Sequence, residues 1–383
     1  MRVKRLWTAA LTAAILLGAG EAQAQLKIGI TASGTGPGAA LGQPQLKSVQ
    51  LLPKEIAGLS VTYIALDDES DGTKASLNVR KLITDEKVDA VIGSSLTPTS
   101  LPLIDIAFET KTPLLTMAAS HTLITPMDEK RRWVYKVVPN DSIMATAILK
   151  YIAKTGAKTL GYIGFADGYG EGYYSELVKL APQLGITITT KEVYARADTS
   201  VTGQVLKVLA TKPDAVFIAA SGSPAVLPQK GLRERGYKGP IYQTHGIATV
   251  EFIKLGGKDV EGAIFAGEAF TIAHDLPDDS PFKKPTTTYI KAYEAAHGQP
   301  PAIFGAHVID SVALLQRAVP EALKSAKPGT PEFRAAIRDE IEKTKDLYMN
   351  NGLSNMTPAD HGGFDEKSAF MIKIEGGQFR WLK

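Results

Sequence analysis

The stretch LKIGITASGTGPGAALG, Leu26 to Gly42, decides how this chain is read. A short apolar run, Leu26 to Ile30, enters a loop holding Gly34, Gly36 and Gly38, and the small residues Ala39 and Ala40 follow. Strand, glycine-rich turn and helix in this order open nucleotide-binding folds, and also folds that only bind and release a solute. Gly34, Gly36 and Ala39 can be laid on the G-x-G-x-x-G/A dinucleotide pattern, and the next strand ends in Asp67-Asp68. That pattern needs its acid about 20 residues on, and these two come later. Pro37 also takes a backbone N–H out of the loop, where a pyrophosphate would need one. The loop is read as something other than a nucleotide cradle, and no cofactor is expected.

The residues before the loop form a three-part export signal. Arg2, Lys4 and Arg5 are basic, Leu6 to Ala19 is apolar, and Ala22-Gln23-Ala24 is a small-residue cleavage site. This is the pattern of a secretory leader over residues 1–24. The apolar run is shorter than the roughly 20 residues a spanning helix needs. The chain has no cysteine, which removes disulfides, thiol nucleophiles and a lipid-bearing cysteine anchor. An exported, untethered binder stays near its cell behind an outer membrane, so the periplasm is expected. Losing Arg2, Lys4, Arg5 and Glu21 with the leader brings a net charge of +3 closer to balance. A balanced chain gives no reason to expect nucleic acid or an anionic membrane as partner.

The remaining length favours two lobes over one domain. Apolar, β-branched runs at Val61–Leu66, Val88–Ile92, Pro113–Met117 and Val134–Val138 read as buried strands. So do Thr159–Gly164, Ile186–Val193, Ala215–Ala219 and Gly262–Ala266. Amphipathic stretches at Ser76–Thr84, Ile143–Lys154 and Tyr173–Leu184 lie between them, with longer helical patterns at Thr286–His297 and Val308–Leu323. Such alternation predicts α/β lobes with largely parallel sheets flanked by helices. The tail around Gly376-Gly377 reads as a β-hairpin. Breaks at Pro139-Asn140 and His274–Pro285 suggest crossings between lobes.

Catalytic patterns are absent: there is no G-x-x-x-x-G-K-[ST], H-E-x-x-H or G-x-S-x-G, and the six histidines show no metal-ligand spacing. No enzyme and no metal are expected. Asp67, Asp68, Glu69 and Asp71 read as solvated loop acids.

The segments TASGTGPGAALGQPQLKSVQL, YIALDDESD, VDAVIGSSLTPTS, TPLLTMAAS, FADGYGEGY, KPDAVFIAASG and IYQTHGIA occur in an order and spacing that resemble the type I solute-binding proteins of the branched-chain amino acid transporter family. The resemblance spans nearly the whole chain beyond the leader. It implies a two-lobed periplasmic binding protein with three interlobe crossings. Lobe one would take residues 25–141 and 273–348, and lobe two residues 142–272 and 349–383. A monomer would close on a small ligand and deliver it to an inner-membrane ABC permease.

Two segments of lobe one suit an anion: Ser94, Ser95 and Thr97 after one strand, and Ala118, Ala119 and Ser120 after the next. Amides at a helix N-terminus and nearby hydroxyls attract a carboxylate, although serine and threonine at such places also serve as plain helix caps. The resemblance tips Ser95, Thr97 and Ser120 toward a carboxylate and places Tyr169 over the ligand. In amino-acid-binding members a later loop carries a glutamate for the ligand's ammonium; this chain has His245 in QTHGIA there. It has Ser221 where an aromatic is common. These departures imply a small carboxylate ligand without an α-amino group. QTHG and MTPADHGGFD resemble the subgroup that binds aromatic acids such as benzoates, hydroxybenzoates and phenylpropanoids. His245 would then meet a ring hydroxyl or the carboxylate, or serve as a structural loop residue. Phe270 would wall the pocket or belong to the core, and His361 is expected to be a turn residue.

Overall fold

The computed structural model describes residues 25–383; the leader expected over residues 1–24 lies outside them. The opening stretch forms β1 (Leu26–Ala32), a single turn at Gly36–Gly38, and a helix over Ala39–Ser48. The turn's amides are used within the chain: Gly34 N–H donates to Asp67 Oδ1 at 2.8 Å, and Gly38 N–H to Ser70 Oγ at 2.9 Å. Gly42 must be glycine, because a Cβ there would lie 2.0 Å from the Ser33 carbonyl oxygen. The glycines therefore let the first helix press on the end of β1.

The first sheet adds β2 (Glu55–Ile56), β3 (Leu59–Asp67), β4 (Ala90–Ile92), β5 (Leu114–Thr116) and β6 (Val134–Lys136), in the order β2-β3-β1-β4-β5-β6. Every pairing is parallel except β2 with β3. Strands β4, β5 and β6 are buried along their whole length. Burial on both faces explains why they read as unbroken apolar runs rather than alternating ones.

The second sheet holds β7 (Thr159–Phe165), β8 (Thr187–Tyr194), β9 (Ala215–Ala219), β10 (Ile241–Gln243) and β11 (Ile264–Gly267). After a small pair, β12 (Leu347–Tyr348) and β13 (Leu353–Ser354), the tail adds β14 (Phe370–Glu375) and β15 (Gln378–Trp381). The order is β15-β14-β11-β10-β9-β7-β8, parallel from β8 to β11 and antiparallel through the tail hairpin. Strand β8 lies at the edge and is the polar, half-exposed one, TITTKEVY, as an unpaired edge requires.

Helices Asp141–Thr155 and Gly168–Leu180 pack on each other in the second lobe, and the former reaches β11. The long helix Ile303–Ala322 packs on Ala39–Ser48 and on Pro331–Glu342 in the first lobe. The last crossing differs from the sequence expectation, which passes into lobe two at 349. Residues 350–361 keep first-lobe partners: Asn350 and Asn351 bind Asp310, and His361 bonds to the Val134 carbonyl at 2.9 Å. The chain joins the second sheet only at Phe370. His361 does sit in a turn, but it is fully buried and stacks on Tyr135 with ring centroids 4.3 Å apart.

Asp310 ties the crossings together. Its Oδ1 accepts from Asn350 N (3.2 Å) and Nδ2 (2.7 Å), and its Oδ2 from Asn351 N (3.0 Å) and Nδ2 (2.6 Å). The Asn350 carbonyl accepts from Phe270 N–H at 3.2 Å, which joins a second crossing. Burial pushes the Asp310 carboxyl up to about 6 in spite of these bonds.

Candidate functional site

In open α/β sheets, ligands bind beyond the carboxyl ends of the strands. Here the loops after β1, β4 and β5 of one lobe face those after β7, β9, β10 and β11 of the other. Between them is a cavity of about 30 Å³. Leu41, Ser95, Leu96, Thr97, Met117, Ala119, Val138, Phe304 and His307 line it from the first lobe and the first crossing. From the second lobe come Tyr169, Arg196, Ser221, His245, Gly246 and Glu268.

Of the residues singled out in the sequence, Ser95, Thr97, Ala119, Tyr169, Ser221 and His245 line this cavity. Ser94, Ala118, Ser120 and Phe270 do not. The Ser94 hydroxyl turns away to Asp68 Oδ2 and Thr99 Oγ1. Ala118 packs into the apolar cluster on the far face of the first sheet. Ser120 caps a single turn, its Oγ accepting from Thr122 N–H at 3.4 Å and lying 2.9 Å from Thr122 Oγ1. Phe270 lines a separate groove of about 470 Å³ between Ala248–Ile253, Pro300–Ile303 and the tail hairpin. Its ring meets Tyr289 at 5.7 Å. None of the residues that line that groove lines the interlobe cavity. Asp68, read as a solvated loop acid, is fully buried and accepts from Ser33 Oγ at 2.7 Å and from Ser94 Oγ. It therefore braces the loop that carries Ser95.

The Ser95 hydroxyl has little left to offer a guest, since it accepts from Ser33 N–H at 2.8 Å and donates to Gln45 Oε1 at 2.5 Å. Thr97 is different. It begins the short helix Thr97–Ser100, is 1% exposed, and its Oγ1 has no partner. Tyr169 sits in the first turn of helix Gly168–Leu180, which Asp167 caps through bonds from the Tyr169 and Gly170 amides. The Tyr169 hydroxyl donates to Thr244 Oγ1 at 2.8 Å, so its ring, rather than its hydroxyl, is what the cavity receives.

The sequence reading missed Glu268, and the structure corrects the expectation of a site without a carboxylate. Glu268 follows β11 directly, is 2% exposed, and its Oε1 lies 2.6 Å from His245 Nδ1. The charge of His245 and the hydrogen bond from it outweigh burial and hold the Glu268 carboxyl below its ordinary range. Its Oε2 has no partner. A polar residue just past an apolar strand, at the same end as the other binding loops, was the signal available for it. Arg196, just after β8, was missed too. Its Nε donates to Asp167 Oδ2 at 2.6 Å and its Nη1 to Ser221 Oγ at 3.0 Å, with the guanidinium 4.0 Å from the Phe165 ring centre. His307, from helix Ile303–Ala322, is buried with both ring nitrogens unpartnered, and burial pushes its pKa down to about 4. It is neutral near pH 7. Among the described residues no group of three His, Asp or Glu side chains is placed to hold a metal ion.

The candidate site is thus a cavity between two lobes, lined mostly by apolar atoms with a few polar groups from each lobe. A family profile described as periplasmic binding protein matches residues 25–378. The chain belongs to the periplasmic binding protein family. Its fold is the two-lobed type I form. An extracellular ligand-binding receptor of Rhodopseudomonas palustris HaA2 is 70% identical, with a TM-score of 0.93 over 94% of this chain and 100% of that one. A second such receptor of the same strain is 38% identical, with a TM-score of 0.90 over 94% and 100% of the two chains. Leu/Ile/Val-binding protein homolog 3 of Brucella melitensis biotype 1 is 22% identical over the full length of both chains. These relatives are solute-binding proteins, not enzymes, and the family is periplasmic.

Proposed function

We propose that this binding protein captures a small organic acid lacking an α-ammonium group, of the benzoate, hydroxybenzoate or phenylpropanoid type. It would be exported by its leader, remain unanchored in the periplasm as a monomer, and hand the acid to an ABC permease. One observation carries the reading: Glu268, the one carboxylate among the cavity-lining residues, is already engaged by His245, while Thr97 and the neutral His307 leave polar atoms unpartnered. With Nδ1 bonded to Glu268, His245 keeps Nε2 as its free ring nitrogen. That N–H donates to an acceptor oxygen, and a protonated imidazole repels an ammonium. The free Thr97 hydroxyl adds a donor on the other lobe. The Tyr169 and Phe304 rings, with Leu41, Leu96, Met117 and Val138, supply apolar walls for a flat body.

Capture follows from closure. A solute that bridges both lobes makes its full contacts only in the closed form, and so shifts the open–closed equilibrium toward it. At about 30 Å³ the cavity is smaller than an aromatic acid, so the lobes would have to part to seat one. Micromolar binding needs about 8 kcal/mol, within reach of two or three charge-assisted hydrogen bonds and a buried ring.

A second reading is an α-amino acid ligand. The unpartnered Glu268 Oε2 favours it, as an acceptor an ammonium would satisfy. The names of the relatives point the same way, among them a leucine-, isoleucine-, valine-, threonine- and alanine-binding protein of Pseudomonas aeruginosa, 22% identical over 89% of this chain. Calorimetric titration separates the two. Binding of 4-hydroxybenzoate without binding of leucine supports the first reading, and the reverse establishes the second.

A further inference from the structure

We propose that His121 and Glu176 form an interlobe clamp that sets how firmly the cleft holds its solute without touching the solute. None of His121, Asp141 and Glu176 lines the cavity. His121 lies in the first-lobe loop after β5. Its backbone N–H donates to Asp141 Oδ1 at 2.9 Å, and its Nδ1 stands 2.8 Å from the same oxygen. Its Nε2 is 3.8 Å from Glu176 Oε1. Asp141 opens the first helix after the crossing, and Glu176 lies on helix Gly168–Leu180 of the second lobe. That helix also carries Tyr169, so the clamp and the solute pull on one rigid element. The lobes meet closely here: a Cβ on Gly172 would lie 2.7 Å from Asp141 Oδ2 and 3.2 Å from Ser120 Oγ.

The two contacts of His121 differ in what opening does to them. Asp141 sits at the crossing itself, tied to the first lobe by its own N–H on the Ala119 carbonyl at 3.2 Å, so its carboxylate is the contact that opening disturbs least. Glu176 lies two turns along its helix from Tyr169 and moves away. The closed form therefore stabilises an imidazolium more than the open form does. The charged groups facing His121 are Asp141, Glu176 and Lys136. The Asp141 bond raises the imidazole pKa most, burial opposes it, Glu176 adds to the rise and Lys136 works against it. A group whose pKa is raised on closure favours the closed form below its open-form pKa. That advantage is lost as the pH climbs through the closed-form value. An ion pair of this exposure changes an equilibrium by about twofold to fivefold.

The proposal rests on closure of the cleft and not on the chemistry of the solute, so it is tested on the solute-free chain. The protein has no cysteine of its own, and Leu77 and Leu206 are 63% and 53% exposed on outer helices of the two lobes. Spin labels on Leu77→Cys and Leu206→Cys report the interlobe distance by pulsed electron resonance. The closed fraction is expected to be about twofold to fivefold higher at pH 6 than at pH 8. Glu176→Gln and His121→Gln should each flatten that dependence. A closed fraction that ignores pH, or that keeps its full pH dependence in Glu176→Gln, overturns the clamp. Because no solute is added, either failure leaves the assignment of the ligand standing.

Discussion

Replacing Thr97 by valine should move stability and binding in opposite directions. The Thr97 hydroxyl is buried and has no hydrogen-bond partner within the protein. An unsatisfied buried hydroxyl costs about 1–3 kcal/mol, and valine keeps the shape of the side chain while removing that oxygen. The solute-free variant is therefore expected to be as stable as the parent or more so. In the proposed complex the same hydroxyl would donate to the solute's carboxylate. Hydrogen bonds to charged groups are worth about 1.5–3 kcal/mol, so affinity should fall about 10- to 150-fold. Calorimetric titration measures the affinity, and thermal unfolding without solute measures the stability. A structural role for Thr97 predicts the opposite pairing, a lower melting temperature with binding intact. That outcome would refute the assignment of Thr97 to the binding surface.

Three further outcomes follow from the geometry. Tyr169→Phe removes only a bond to Thr244, which keeps its bond to the Ala220 carbonyl; affinity should change less than about fivefold, whereas Tyr169→Ala opens a core cavity and should cost about 3–5 kcal/mol of unfolding free energy, as chemical denaturation will show. His245→Ala strands the buried Glu268 carboxylate and should destabilise the chain by about 3–5 kcal/mol; pairing it with Glu268→Gln should restore most of that loss in a denaturation series. Asp310 has its pKa raised on folding from 3.8 to about 6, so the folded state binds the extra proton. The parent should gain stability over Asp310→Asn as pH falls through 6, by up to about 3 kcal/mol, and level off below the unfolded value; denaturation midpoints from pH 7 to pH 4 measure the trend.

The fold was largely written in local patterns. Parallel strands buried on both faces leave unbroken β-branched runs, so β4 to β7 and β9 could be placed within a few residues. The small strand β2 and the one-turn elements carry no such run. The third crossing was misjudged because residues 350–361 are held by Asp310 and by β6, contacts between positions far apart in sequence. The cavity lining was legible where a loop follows a recognisable strand, as with Thr97, Tyr169 and His245. It was not legible where neighbours in sequence point different ways. Ser95 lies at the cavity, yet Ser94 beside it turns back to Asp68. Arg196 and His307 come from an edge strand's loop and a returning helix, and only the folded chain brings them to the cleft. Glu268 was hidden for a different reason: the loop expected to hold the acid holds His245 instead, and the acid comes from the next strand end.

In the proposed complex two closing lobes trap an acid between Thr97 of one and the His245–Glu268 pair of the other. Co-crystallisation with 4-hydroxybenzoate tests it most directly. The expected density has a carboxylate within hydrogen-bond reach of Thr97 Oγ1 and a ring lying against Tyr169. Density for the guest in the groove beside Phe270, or a leucine whose ammonium rests on Glu268 Oε2, would contradict it.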